Sequence, residues 1–240
     1  MIVFENVNFC YEDGTQVLHN VNLHVEDGTT LALLGASGSG KTTLLHVLLG
    51  LLKPQSGRVL VNGVDIVPLK EKKLSDLRER MGVVFQDGAL FDSLTVGENV
   101  SFYMRERMQL DEDEMEKRTQ QQLDYVALSH TMDLMPDELS GGMRRRVAVA
   151  RAMAAFKPML MLYDEPTSGL DPITADNICD LIRQVGQEQK LTSIIVTHRL
   201  RDGFKVADKM VLFKDGSIYF EGTVDELMAA DDPYIKRFMA

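Results

Sequence analysis

The sequence predicts an α/β fold with a mostly parallel core sheet, an antiparallel β portion on its N-terminal side, and a helical segment inserted between two core strands. Three observations predict it. Residues 2–27 alternate apolar and polar side chains around a turn at "EDGT", as half-buried antiparallel strands do. Four later stretches, "LALLG" (31–35), "MGVVFQ" (81–86), "MLMLYDE" (159–165) and "SIIVTH" (193–198), are nearly continuous apolar runs. Strands of a parallel sheet covered on both faces read this way. Between the second and third of these runs no strong strand pattern occurs.

In chain order, "GRVLVNG" (57–63) continues the antiparallel portion, and "KTTLLHVLLG" (41–50) is helix-forming. "DEDEMEKRTQQQLDYVAL" (111–128) and "SGGMRRRVAVARAMAAF" (140–156) are also helical, the first charged and therefore solvated along one face. In "DNICDLIRQV", Ile178, Leu181, Ile182 and Val185 share one helical face, with Asp171 as N-cap and Pro172 in the first turn. Residues 209–222 form a hairpin around "KDGS". A short helix follows, with Thr223 and Glu226 spaced as a capping box. No repeat, low-complexity run or disordered linker divides the chain. The expected organisation is one domain, 1–240: an α/β core from 1–87 and 158–240, and a helical subdomain from about 88 to 157.

Bulk properties exclude several classes. A chain of 240 residues that is 45% hydrophobic buries a substantial core. Its net charge of −10 disfavours a general nucleic-acid binder, which needs clustered excess Lys and Arg. The run "RRR" (144–146) reads instead as a solvated helix face. Cys10 and Cys179 make neither a disulfide framework nor a zinc site and read as small core residues. The start, "MIVFENVNFCYEDG", has no basic segment followed by an apolar run, so no signal or transit peptide is expected. No apolar run approaches the ~20 residues that span a bilayer.

The stretch "GASGSGKTT" (35–43) follows a strand and opens a helix, the context that the pattern G-x-x-x-x-G-K-[ST] requires. Glycines let successive N–H groups turn inward around an anion, and the helix N-terminus adds partial positive charge. Lys41 reaches terminal phosphates, and the Thr42 hydroxyl ligates Mg²⁺. The second element, "MLMLYDEP", ends a buried strand in two acids. Asp164 is placed to hold Mg²⁺ through water, and Glu165 to orient or deprotonate an attacking water.

"ELSGGMRRRVAVARA" (138–152) contains LSGG, and with the phosphate loop before it and "LYDEPTSGLD" after it the whole chain resembles the ABC-type ATPases. The resemblance implies the ABC-type P-loop ATPase fold and Mg²⁺-dependent ATP hydrolysis. It makes Gly35, Ala36, Ser37, Gly38, Ser39, Gly40, Lys41, Thr42 and Thr43 the nucleotide-binding loop. Gln86 resembles the glutamine that senses Mg²⁺ and the γ-phosphate, so Thr42, Gln86 and Asp164 form the implied metal set. Asp171 resembles the D-loop aspartate, and His198 the switch histidine contacting the γ-phosphate. Tyr11 sits where an aromatic ring stacks on adenine. Taken alone, Tyr11 also reads as a strand aromatic, Gln86 as a strand end and His198 as a structural histidine. His19, His24, His46 and His130 lack motif context.

Ser140 is able to cap the helix that starts at Gly141, and Gly141 and Gly142 leave N–H groups accessible for a second anion site. In the family this element docks on ATP held by the other subunit. One phosphate loop and one signature per chain thus imply a head-to-tail homodimer with two ATP molecules between the subunits.

"FQDGALFDSLTVGENV", "LMPDELSGGMRRRVAVARAMA" and "LYDEPTSGLDPITA" are similar to the ATPase subunits of Mla/Mce-type lipid transporters. This implies a peripheral protein on the cytoplasmic face of the bacterial inner membrane. Its partners would be integral permease subunits and a periplasmic MCE-domain protein, and its cargo phospholipid. Membrane contact would run only through the permease. Two departures stand out: Met143 where most cassettes have Gln, and Arg199 where many have Asp after the switch histidine. A transporter for another solute is one alternative. A soluble ABC ATPase acting on ribosomes or DNA is another, though the chain has neither a second cassette nor a coiled-coil insertion. Leu90, Phe91 and Leu94, just after Gln86, either pack into the helical subdomain or line a groove for a permease helix.

Overall fold

Apolar alternation within the core strands decides the layering. The structure, a computed structural model, describes residues 1–154 and 158–239. The strands are β1 (Ile2–Cys10), β2 (Gln16–Val25), β3 (Thr30–Gly35), β4 (Ser56–Val61), β5 (Val64–Asp65), β6 (Met81–Val84), β7 (Leu160–Asp164), β8 (Thr192–Thr197), β9 (Lys209–Lys214) and β10 (Ser217–Gly222). The helices are α1 (Lys41–Leu48), α2 (Glu71–Arg78), α3 (Val96–Arg107), α4 (Glu112–Tyr125), α5 (Gly141–Ala154), α6 (Pro172–Gln189), α7 (Leu200–Val206), α8 (Val224–Ala229) and α9 (Pro233–Met239).

A six-stranded sheet runs β10-β9-β3-β8-β7-β6. Every pairing in it is parallel except β9 with β10. Successive residues point to opposite faces. Leu31, Leu33, Leu160, Leu162, Ile194 and Val196 join one core, shared with α1 and the antiparallel sheet β2-β1-β4-β5. Ala32, Leu34, Met161, Tyr163 and Ile195 join the other, shared with α3, α4, α5 and α6. With both faces covered there is no polar alternation left to write, hence the unbroken apolar runs. Cys179 lies in the second core, and burial pushes its thiol up to about 12.

The expected α/β class, antiparallel N-terminal portion and strands stand as the sequence predicts. Two features go further. The segment 209–222 is a hairpin, and its first strand also pairs in parallel with β3, so it belongs to the core sheet. Helix α3 has no counterpart in the sequence reading, although "TVGE" carries its start signal. The Thr95 hydroxyl accepts from the Glu98 N–H, and the Glu98 carboxylate accepts from the Thr95 N–H. The expected end of the helical subdomain at 157, and residues 155–156 of the expected helix, lie outside the described residues.

The run 144–146 corrects the sequence reading. It is no solvated face. Arg144 donates to the Pro136 carbonyl, Arg146 to the Val126 carbonyl, and Arg145, only 5% exposed, to the carbonyls of Pro166 and Ser168.

The α3 cap gives a stability prediction. Thr95→Ala deletes one half of the capping box and should cost about 1 kcal/mol. Urea denaturation should show the midpoint lowered with the slope unchanged.

Candidate functional site

The register of the parallel strands brings the site together. Leu34 pairs with Thr197 across β3 and β8, and Asp164 with Val196 across β7 and β8. The carboxyl ends of these three strands are therefore level. The phosphate loop leaves the first, Asp164 and Glu165 end the second, and His198 follows the third.

In the loop, Gly35, Gly38 and Gly40 have φ of 154°, 76° and 106°. A Cβ on Gly35 would lie 2.4 Å from the Phe213 carbonyl oxygen and 2.8 Å from Ser39 Oγ, so the position accepts only glycine. Gly40 ends the loop, and α1 begins at Lys41. The Lys41 Nζ donates to the carbonyls of Gly35 (2.9 Å) and Ala36 (2.8 Å), which folds the ammonium over the loop. Burial lowers the pKa of Lys41, and the charges of Glu165 and Asp164 oppose that shift.

Thr42 Oγ1 donates to Asp164 Oδ1 at 3.3 Å. Burial raises the Asp164 pKa, offset in part by the Thr42 bond. Glu165 is held at φ 49°, a left-handed conformation that costs a bulky residue about 1–3 kcal/mol. Its N–H donates to the Val196 carbonyl at 2.9 Å. His198 Nδ1 lies 2.8 Å from Glu165 Oε2. Among the described residues this buried oxygen has no hydrogen-bond partner, and the His198 ring is the group beside it.

Tyr11, Ser37, Gly38, Gly40, Lys41, Thr42, Thr43, Gln86, Glu165 and His198 line one open cleft of about 560 Å³. Tyr11 is held by Thr43 (hydroxyl oxygens 3.2 Å apart) and by the edge of Phe9, and stays 43% exposed. Gln86 donates to the Ser168 hydroxyl at 3.3 Å, a partner the sequence reading did not name. A larger cleft, about 810 Å³, lies near the amino ends of β7 and β8, and none of the expected site residues lines it.

Ser140, Gly141, Gly142 and Asp171 do not line the cleft. Ser140 Oγ accepts from the Met143 N–H at 3.3 Å, so it caps α5. Asp171 caps α6 by accepting from the N–H groups of Ile173 and Thr174, and bonding at Thr174 lowers its pKa. Gly142 also has a packing reason, since a Cβ there would meet Thr174 Cγ2 at 2.4 Å.

The cleft fits a nucleotide. Gly38 and Gly40, both at positive φ, line it with Lys41 and Thr42 at the start of α1, and in the same loop Ser39 Oγ is buried with no hydrogen-bond partner among the described residues. Among the described residues no cluster of three His, Cys, Asp or Glu side chains is able to hold a metal. A cation between Thr42 and Asp164 would need phosphate oxygens and water to complete its shell, which is how Mg²⁺ binds beside nucleotides.

Comparison with known proteins agrees with this geometry. Residues 18–168 match the model of the ABC transporter family. The chain is 39% identical over 238 residues to the intermembrane phospholipid transport system ATP-binding protein MlaF of Haemophilus influenzae, covering 99% of this chain and 90% of that protein. It is 37% identical to the methionine import ATP-binding protein MetN of Carboxydothermus hydrogenoformans, covering all of this chain and 71% of that one. The ATP-binding cassette MJ0796, solved as a post-hydrolysis dimer bound to ADP and Pi, superposes with TM-score 0.85 at 32% identity. That match covers 93% of this chain and 99% of the solved one.

Lys41→Ala should weaken Mg-ATP binding about tenfold or more, since bonds from a charged donor contribute about 1.5–3 kcal/mol. Titration calorimetry checks this, with circular dichroism confirming an unchanged fold.

Proposed function

Because the chain belongs to the ABC transporter family, as one of its ATPase subunits, we propose that it hydrolyses Mg-ATP to drive phospholipid transport between the inner and outer bacterial membranes. The single observation that carries the chemical part is the Glu165 carboxylate, which lines the same cleft as the phosphate loop and whose Oε2, beside His198 Nδ1 at 2.8 Å, has no hydrogen-bond partner among the described residues. In this reading Lys41 and the loop N–H groups, from Gly35 to Thr43, hold the β- and γ-phosphates, and Tyr11 stacks on adenine. Thr42, Asp164 and Gln86 would hold Mg²⁺, which neutralises developing phosphate charge when bound. Glu165 receives a proton from water attacking the γ-phosphorus. His198, beside Glu165, contacts the γ-phosphate.

The remaining site residues act on a second copy. Ser140, Gly141 and Gly142 at the start of α5 would bind the γ-phosphate of ATP held by the partner subunit, with Asp171 at the same junction. Their position outside their own cleft supports a head-to-tail homodimer, as does the dimeric state of MJ0796. We read residues 1–240 as one ABC ATPase domain, with a helical subdomain from about 88 to 157.

Lipid as the cargo rests on the likeness to the Haemophilus influenzae protein and on the strings around Gln86, the signature and Glu165. No described helix is long and apolar enough to cross a membrane. On the same likeness, the proposed partners are integral permease subunits, joined to a periplasmic MCE-domain protein, with this chain peripheral on the cytoplasmic face of the inner membrane. The docking surface is the groove beside Gln86. Leu90 packs against the core, whereas Phe91 stays 44% exposed, 4.6 Å between ring centroids from Phe102 and with Arg151 at 5.9 Å. Phe85, Ala89 and Tyr103 complete a cavity of about 340 Å³ there.

Two experiments test the reading. Glu165→Gln should bind ATP normally and lose steady-state hydrolysis; near-normal turnover would remove Glu165 from its role. Phe91→Ala should leave the isolated subunit folded with unchanged ATP affinity, yet weaken assembly with the permease by ~2 kcal/mol, about 30-fold. Co-purification from membranes and lipid transfer in proteoliposomes read this out. Co-purification with ribosomes or DNA in place of a permease would contradict the transport reading.

A further inference from the structure

The turn after Glu165 is gripped by two arginines. Three successive carbonyl oxygens accept from them: Pro166 from Arg145 Nε (3.2 Å), Thr167 from Arg199 Nη1 (3.2 Å) and Ser168 from Arg145 Nη2 (3.3 Å). Arg145 comes from α5, the helix that starts at the signature. Arg199 comes from the loop after β8 and directly follows His198. We infer that Arg199, opposed by Arg145, is a positioning residue that sets Glu165 against the attacking water and joins its turn to the loop of His198. This inference rests on the reading of Glu165 given above.

The geometry supports this in three ways. Glu165 sits in a left-handed conformation, which persists only where its surroundings over-determine it. Within the turn two backbone bonds do this, Ser168 N–H to Glu165 O at 3.1 Å and Leu170 N–H to Thr167 O at 3.2 Å. From outside the turn, the Val196 carbonyl accepts from the Glu165 N–H at 2.9 Å, and the arginines hold the three carbonyls that follow. Arg199 also closes a ring. Its Nε lies 3.5 Å from Asp202 Oδ2, the same oxygen accepts from the buried Thr167 hydroxyl, and the Thr167 carbonyl returns to Arg199. A forked guanidinium is required, because one arm faces the carboxylate and another the carbonyl. Finally, the ring spans the two loops that carry Glu165 and His198, whose side chains meet at 2.8 Å and line the cleft together. A residue that fixes both loops bears on the reacting geometry more than on ground-state nucleotide binding.

Asp202 is nearly fully buried, so removing Arg199 also strands a charge. The test must separate that structural effect from positioning. Steady-state ATP hydrolysis and thermal midpoints of the full-length chain are measured for wild type, Glu165→Gln, Arg199→Ala, Arg199→Lys and the double variant Arg199→Ala/Asp202→Asn. Arg199→Ala should lower kcat about tenfold or more, with KM for ATP within about twofold of wild type. The double variant should recover the thermal midpoint, since no buried charge is left alone, but not kcat, since the Thr167 carbonyl still lacks its donor. Arg199→Lys keeps the charge facing Asp202 and loses the fork, so the chain folds and kcat still falls, by about threefold or more. A kcat within about twofold of wild type in Arg199→Lys and in folded Arg199→Ala overturns the positioning role, as does kcat returning with the thermal midpoint in the double variant. Turnover by Glu165→Gln overturns the parent reading and this one with it. Normal kcat in the Arg199 variants beside an inert Glu165→Gln overturns this inference alone.

Discussion

Everything in this molecule depends on the parallel register of β3, β8 and β7. A slip of one residue along β8 would turn Ile194 and Val196 away from one core and Ile195 away from the other. It would also move His198 along the strand direction relative to Glu165, breaking the bond from the Glu165 N–H to the Val196 carbonyl. The same apolar alternation that fills both cores therefore places the phosphate loop, the two acids and the histidine at one edge. The stability of the sheet and the geometry of the site are one constraint.

Opposing influences act on the charges at that edge. Lys41 is buried, which disfavours its charged form, and the acids Asp164 and Glu165 offset this. Burial likewise disfavours the Asp164 carboxylate, and Thr42 offsets that. Each group is held by the next, and a phosphate chain with its cation would add charge of both signs to the same cleft. The signature stands apart. Ser140 and Asp171 satisfy helix starts in their own chain, and neither reaches their own cleft. The signature residues and Asp171 thus stand away from the cleft of their own chain, which makes sense if a second copy supplies the nucleotide.

Much of this was legible in the sequence because the signals are local. A glycine-rich loop between strand and helix, acids ending an apolar run, and Pro172 after an N-cap aspartate each encode their structure within ten residues. Other features depend on distant chain. Nothing in "RRR" tells that Arg145 will meet the carbonyls of Pro166 and Ser168, some twenty residues on, so the run reads as an ordinary solvated face. Arg199 was visible only as a departure, with its partners Thr167 and Asp202 hidden. Gly142 reads as a source of accessible N–H groups, yet its lack of a Cβ is also what lets α5 pack on Thr174. Helix α3 is a different case, since its Thr95–Glu98 box was present and local, and its apolar positions are interrupted by exposed Phe102.

The central claim is that each site is built from two chains. Its most direct test is hydrolysis by a mixed dimer. One subunit carries Lys41→Ala, and the other carries Ser140→Arg, at an exposed cap position where a large side chain blocks docking. In each homodimer both sites are defective. In the mixed dimer, isolated by two affinity tags, a head-to-tail arrangement gathers both defects into one site and leaves the other intact. The account predicts ATP hydrolysis in the mixed dimer well above that of either homodimer. A mixed dimer as inactive as its parents would contradict it, because that result follows when each chain completes its own site.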